Sequence, residues 1–342
     1  MIWLILVFAA ETESAAPLHR ILVIFSYQPT FPTSPGIMDS LLSTLTEDEF
    51  VVDVEYMDSK RFRDARSATL FRDGLAHKLQ NLPPYDVVIT IDDNALTFMR
   101  SQGEELLPDT PVVFFGVNDL PKAQALNGHP LYTGLVEYTP IRETISLVRK
   151  LTPERSRVRL ISDATPSGQA DLAKTLKLQS AFPDLEFVVH SLAGVTWSEF
   201  LQGLERLGKR DSILLLSAYG ISDEHPDTFK ESVGLIRSSA SVPIFHLWEH
   251  GFGDGVTGGI IYDSREHASV AAHIARRIIA GETAGSIPIA TRGPTHPLFD
   301  YRELQRFAID EGQVPDDSTF INRPDTIVDM ALALHPVEQI LL

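Results

Sequence analysis

The 342-residue chain contains no cysteine, which excludes disulfides, thiolate metal sites, cysteine nucleophiles and lipid attachment through a lipobox cysteine. A cysteine-free chain is allowed in any redox compartment, so this absence does not locate it. Basic residues are also scarce: 29 Lys and Arg stand against 46 Asp and Glu, a formal net charge of −17. A surface that negative repels phosphate backbones, and no nucleic-acid partner is expected. Long apolar runs are missing too, for no segment beyond the N-terminus approaches the roughly 18 apolar residues of a membrane helix. What remains is globular in character, 44% hydrophobic and 22% charged, and long enough for two lobes.

The N-terminus carries the clue to location. Ile2 to Ala10 is a short apolar run, followed by the polar, small-residue stretch Glu11 to Pro17. The run is too short to span a bilayer but suits the h-region of a secretory signal, with cleavage after Ala9 or Ala16. The expectation is a signal-like segment over residues 1–16 and a periplasmic protein.

From Arg20 onward, short β-branched runs alternate with segments of helical period. Strands are expected at Ile21–Phe25, Val51–Glu55, Val87–Ile91, Val112–Phe115, Val158–Ile161, Glu186–Val189, Ile213–Leu216 and Pro243–His246. Several are near-continuous apolar runs, as in strands buried on both faces of a parallel sheet. Helices are expected at Ala68–Leu82, Ile141–Leu151, Ser167–Phe182 and His267–Ala280. The series runs twice, to about Val136 and again from Val158 to about His246. The expected fold is therefore α/β: two doubly wound Rossmann-like lobes joined by crossover strands. Lobe 1 takes residues 17–136 and 248–284, lobe 2 takes 137–247 and 285–312, and 313–342 form a C-terminal tail. The runs around Gly134 and Gly258 fall where the chain would cross between lobes, and Gly134, Gly255 and Gly258 are the expected hinge glycines.

Several segments fall in an order that resembles a known family. They are Glu55-Tyr56-Met57-Asp58, Ile91-Asp92-Asp93-Asn94-Ala95-Leu96, Pro111 to Asp119 and Thr133-Gly134-Leu135-Val136-Glu137. Phe252 to Gly259, Phe299-Asp300-Tyr301 and Ile321-Asn322-Arg323-Pro324 follow. Together they resemble the ABC-transporter substrate-binding-protein-like family, in the form seen as the periplasmic sensor region of bacterial signalling proteins. The resemblance covers about residues 20 to 324. It implies a type I periplasmic-binding-protein fold with a ligand cleft between lobes, and a membrane permease or a sensor kinase or cyclase as partner. In the sensor form a membrane helix usually follows, whereas here Asp325–Leu342 contains none.

The residues also speak without the family. Ligands of open α/β sheets bind beyond the carboxyl ends of the strands. There the chain offers Ser26-Tyr27-Gln28-Pro29-Thr30, Asp92-Asp93-Asn94 at an expected helix N-cap, and Gly116-Val117-Asn118-Asp119. The second half offers Ser162-Asp163-Ala164-Thr165, Ser217-Ala218-Tyr219 and Trp248-Glu249. The expected ligand-binding residues are Tyr27, Asp93, Asn94, Asn118, Thr165, Tyr219, Trp248 and Glu249, aromatics to sandwich a planar group and polar groups to orient it. Each of these polar residues equally suits a cap or a turn.

Three other patterns carry less. Asp92-Asp93 could serve acid–base chemistry, but neighbouring residues at a strand end point apart. Gly253-Asp254-Gly255-Val256-Thr257-Gly258 matches a dinucleotide fingerprint by letter, yet a strand-like run follows it where a helix should open. His246 and His250, with Glu249 between them, would share one face of a helix, but no third ligand is nominated, and they read as structural or surface histidines. No catalytic residue, cofactor or metal is expected. The expected function is an exported protein that closes on a small amino-acid-like or heterocyclic solute without covalent chemistry. The alternative is a hydrolase-like or other enzyme using a carboxylate such as Asp93 or Asp254.

Overall fold

The computed structural model describes residues 18–62, 64–218 and 228–324, so the signal-like segment and Tyr219 lie outside the described residues. The chain divides into two compact units. The first runs to Val136 and takes in Ala268–Ala290; the second holds Glu137–His267 and continues from Thr291.

The first unit contains β1 (His19–Phe25), α1 (Ser34–Thr44), β2 (Phe50–Tyr56), α2 (Ala65–Leu79), β3 (Val87–Ile91), α3 (Asp92–Leu106), β4 (Val112–Val117), α4 (Leu120–Gln124) and β5 (Tyr132–Val136). Its strands form one parallel sheet in the order β2-β1-β3-β4-β5. Ile21, Val23, Phe25 and Ile89 pack on one face with Ile37 and Leu41 of α1. Leu22, Ile24 and Val88 pack on the other with Leu75, Phe98 and Met99 of α2 and α3. Both faces are covered, and that is why β1 and β3 read as near-continuous apolar runs.

The second unit contains α5 (Ile141–Leu151), β6 (Arg157–Ser162), α6 (Pro166–Leu176), β7 (Glu186–Ser191), α7 (Trp197–Glu205), β8 (Asp211–Leu215), α8 (Phe229–Ser239), β9 (Ile244–Phe245) and β10 (Gly258–Tyr262). Helix α9 (Ser264–Ile279) leads back to the first unit, and β11 (Thr295–Asp300), α10 (Tyr301–Arg306) and β12 (Thr319–Ile321) complete the second. The sheet order is β12-β11-β10-β9-β8-β6-β7, parallel except for the antiparallel β10–β11 pair. Asp211 at the start of β8 is 1% exposed and bridges Arg157 (3.0 Å) and Arg159 (2.8 Å) of β6. It also accepts the Gly208 N–H at 2.8 Å, which closes the turn leading into β8.

The structure corrects several expected boundaries. Helix α2 begins at Ala65, because Asp64 accepts the Ser67 N–H as its cap. Helix α9 begins at Ser264, because Asp263 accepts the N–H groups of Arg265 and Glu266. Helix α6 ends at Leu176, with only a 3₁₀ turn over Gln179–Ala181. The expected strand at Pro243–His246 shortens to Ile244–Phe245.

The chain re-enters the first unit at Ala268, not near 248, because β10 pairs with β9 and β11 and so stays in the second sheet. It leaves after Ala290, not after 284, because Ala290 bonds back to β5 through the Gly134 carbonyl. The expected tail from 313 includes β12, which pairs with β11.

The hinge glycines divide accordingly. Gly134 lies in β5, shortly before the chain leaves the first unit. Gly255 and Gly258 are interior to the second unit and stand at no crossing. Gly255 (φ +129°) is pressed against the Arg237 side chain, and Gly258 leaves room for the Phe299 ring, 2.2 Å from where a Cβ would lie.

Candidate functional site

The strand order identifies where each sheet can open to a ligand. The winding reverses beside the first strand of each unit, between β1 and β3 and between β6 and β8, and ligands of such sheets bind beyond the strand ends at that reversal.

In the first unit the β1/β3 reversal is held by Ser26. Its hydroxyl donates to the Ile91 carbonyl (2.7 Å) and accepts the Ala95 N–H (2.9 Å), so a residue from β1's end caps α3. Within the triplet Asp92-Asp93-Asn94 expected at this cap, Asp92 is in the left-handed region at φ +68°, which Asp tolerates better than most residues. Ser59 donates to the Ser26 carbonyl at 2.6 Å and accepts from the Asn94 amide at 2.8 Å. Asp93 accepts the N–H groups of Asn118 (3.1 Å) and Asp119 (3.3 Å), fixing the loop after β4. Tyr27 packs on Phe31 with ring centroids 4.7 Å apart, and the Lys60 ammonium covers both rings at 4.5 and 4.7 Å. Gln28 Oε1 is buried without a hydrogen-bond partner among the described residues. Thus Tyr27, Asp93, Asn94 and Asn118 come together around Ser26. Replacing Ser26 with Ala is expected to cost about 1–2 kcal/mol, as for loss of a helix cap, read from urea unfolding.

In the second unit the β6/β8 reversal is held by Asp163, which is fully buried. Its carboxylate accepts the Thr165 N–H at 2.9 Å, the Thr165 hydroxyl and the Ser217 hydroxyl. Thr165 in turn accepts the Gly168 N–H at 3.1 Å and caps α6. Beyond β9 an aromatic group gathers. His246 stacks on Phe229 at 5.4 Å, His250 meets Phe229 edge-on at 4.5 Å, and Trp248 lies 5.4 Å from His246 and 6.2 Å from His250. Burial holds His246 down to about 3, with His250 adding to the shift, and burial holds His250 down to about 4. Both rings are neutral at pH 7. Trp248 Nε1 approaches Glu137 at 3.5 Å, while Glu249 is exposed.

From the sequence, Ser26, Asp163 and Ser217 stand within their strand-end loops but not among the expected ligand-binding residues, the two histidines read as structural or surface ones, and Ser59, Lys60 and Phe229 are not singled out. Asp163 and Ser217 follow β6 and β8, and the pairing of these two strands, which the sequence does not show, is what brings them together. No helix forms at the histidines: His246 directly follows β9 and His250 lies in a turn.

The motifs Gly253-Asp254, Asp300 and Asn322 meet elsewhere in the second unit, around a cavity of about 270 Å³ with Arg237, Arg302 and Glu303. Asn322 donates to Asp300 at 2.9 Å, and Arg237 donates to the buried Glu303 at 2.6 and 2.8 Å. Asp254 pairs with Lys230 at 3.3 Å. These residues tie β11, β12 and the glycine turn together.

No protein-family model and no curated protein matches the chain. Solved structures do. The chain is similar to a substrate-binding protein with adhesive properties from Clostridium difficile in its ligand-free, open form, with a TM-score of 0.66 at 14% identity over 89% of this chain and 99% of that one. An ABC domain from Streptococcus pneumonia in complex with L-Trp gives 0.59 at 15% identity, over 88% and 99%. An ABC-transporter solute-binding protein from Bacillus halodurans with bound myo-inositol gives 0.52 at 11% identity, over 87% and 99%. The class is that of a mixed α/β protein with two parallel-dominated sheets. The particular fold is the type I periplasmic-binding-protein fold, which this chain shares with ABC-transporter substrate-binding proteins. Among the described residues no helix is long and apolar enough to cross a membrane.

Proposed function

We propose that this protein is an exported solute-binding protein that captures a small organic molecule for a membrane partner, an ABC-type permease, and performs no covalent chemistry. The supporting observation is that the hydrogen-bonding and aromatic groups gather beyond the strand ends at the winding reversal of each sheet. Ser26, Asn94 and Asp93 do so in one unit, and Asp163, Thr165 and Ser217 in the other. The carboxylates Asp93 and Asp163 are engaged as acceptors, which suits groups that position loops better than groups that move protons.

The ligand class follows from the side chains on offer. Tyr27, Phe31 and Trp248 offer aromatic rings, Gln28 Oε1 offers an acceptor, and Lys60 brings a positive charge beside Tyr27 and Phe31, while neighbouring Arg61 is paired with Asp58. An amino-acid-like or heterocyclic solute matches that set better than a phosphorylated one. The neighbours' own ligands, L-Trp and myo-inositol, are small organic molecules of comparable size.

The test is a metabolite panel of amino acids, aromatic heterocycles and sugar phosphates, screened by thermal shift with chromatography of each mixture afterwards. The expected result is a shift with one or a few solutes, each recovered unchanged. Recovery of a product would establish the enzyme reading, and a response to sugar phosphates alone would overturn the ligand class.

A further inference from the structure

The chain has asparagines at 81, 94, 118, 127 and 322, and only Asn127 is followed by glycine. Leu, Ala, Asp and Arg follow the others, and their side chains crowd the backbone nitrogen, whereas Gly128 has no Cβ to do so. Gly128 sits at φ +80° in the turn after α4, with nothing within 4 Å of where a Cβ would lie. Both residues are exposed, so water reaches them. The Gly128 N–H donates to no acceptor among the described residues, which leaves its nitrogen available as a nucleophile.

The Asn127 side chain is oriented by the fold. Its Oδ1 accepts the Ile289 N–H at 3.1 Å. That donor draws electron density from Cγ and stands where negative charge would develop on the oxygen during attack at Cγ.

We propose that Asn127-Gly128 is a self-modification site, at which the folded protein converts Asn127 to aspartate and isoaspartate without an enzyme.

The Gly128 nitrogen gives its proton to solvent hydroxide and bonds to Asn127 Cγ. The Cγ–Nδ2 bond breaks, the departing nitrogen takes a proton from water and leaves as ammonia, and a five-membered succinimide closes. Water then opens the ring. Opening at Cγ gives aspartate, and opening at the backbone carbonyl carbon gives isoaspartate, with the main chain rerouted through Cγ. Each product adds one negative charge, and no oxidant or reductant is needed.

The consequence falls on Ile289, which is buried beside Leu126 and Val136. Isoaspartate draws Cγ into the main chain and takes away the acceptor of the Ile289 N–H, which then lacks a partner. On either side, Ile287 accepts the Thr133 hydroxyl at 2.9 Å and Ala290 bonds to the Gly134 carbonyl at 2.9 Å. The loosening therefore falls on the stretch that ends the first unit. Nothing in this depends on the solute-binding reading.

The test holds purified protein at pH 8 for several weeks and follows it by anion exchange, peptide mapping and an isoaspartyl methylation assay. Gly128→Ala is incubated beside wild type. Open space surrounds the added Cβ, and circular dichroism confirms the fold. The expected result is a more acidic species from wild type, carrying aspartate and isoaspartate at 127 and unmodified asparagine at 81, 94, 118 and 322. Gly128→Ala should remain a single species over the same period. Hydrogen exchange on the isoaspartyl species should show loss of protection at Ile289. An unmodified Asn127 in wild type, equal modification at the other asparagines, or equal rates in Gly128→Ala would overturn the proposal. Full protection of Ile289 in the isoaspartyl species would overturn its structural consequence.

Discussion

Lowering the pH from 7 to 5 is expected to destabilise the second unit by several kcal/mol. Three histidines there are neutral in the folded protein. Burial holds His246 at about 3, His250 at about 4 and His267 at about 4, the last against the opposing pull of Asp263. In the unfolded chain a histidine takes up its proton near 6.5. Below that pH the unfolded state binds more protons than the folded state, so the stability these groups lend is complete above 6.5 and drains away as the pH falls toward 4. Each proton is worth about 1.4 kcal/mol per pH unit, so three groups give an upper figure of about 6 kcal/mol at pH 5. His296 acts in the opposite sense. The hydrogen bond to Asp263 raises it despite partial burial, so its contribution is present below 6.5 and is lost as the pH rises through its folded value. Urea unfolding at pH 7, 6 and 5 measures the slope, and His250→Phe should make it shallower by about one proton. A stability that is flat from pH 7 to 5 would show that the histidines are not buried as described.

Replacing Gly134 with Val is expected to be the most damaging single substitution in the first unit. A Cβ there would lie 2.0 Å from the Phe114 carbonyl oxygen and 2.7 Å from its nitrogen, both backbone atoms of the neighbouring strand β4. The residue also sits at φ +154°, where L side chains rarely go. Neither strand can move without loss of the β4–β5 ladder, so the cost should exceed about 4 kcal/mol. The melting temperature should fall by on the order of 10 °C, or the protein should fail to accumulate. Gly74 makes the contrasting control. It lies on the exposed side of α2 with open space where a Cβ would be, and Gly74→Ala should stabilise by up to about 1 kcal/mol. Differential scanning calorimetry on both variants tests the pair. A wild-type melting temperature for Gly134→Val would contradict the described β4–β5 approach.

Much of the fold was legible because its strongest signals are local. The run Ile21–Phe25 is apolar throughout and Val87–Ile91 nearly so, since helices cover both sheet faces, and Ile141–Leu151 carries the helical period that α5 requires. What escaped was tertiary. The cap of α3 comes from Ser26, far away in sequence, so the adjacent Asp92-Asp93-Asn94 looked like the cap. Gly258 looked like a hinge because nothing local reveals the Phe299 ring that it accommodates. The return to the first unit falls inside α9, and a continuous helix gives no punctuation at His267–Ala268. At the site, Tyr27, Asp93, Asn94 and Asn118 could be nominated from strand-end positions. The His246–His250 pair could be noticed but not interpreted, because its geometry arises from a turn that the residue spacing does not specify.

The central claim is that strand-end groups of this fold bind a small organic solute. It is tested most directly by isothermal titration of that solute, once screening supplies it, into wild type, Asn94→Ala, Ser217→Ala and Trp248→Ala. Loss of a hydrogen bond or an aromatic anchor that holds the solute is expected to weaken it by tenfold to a hundredfold, about 1–3 kcal/mol, with folding intact by circular dichroism. Wild-type affinity in every one of these variants would contradict it.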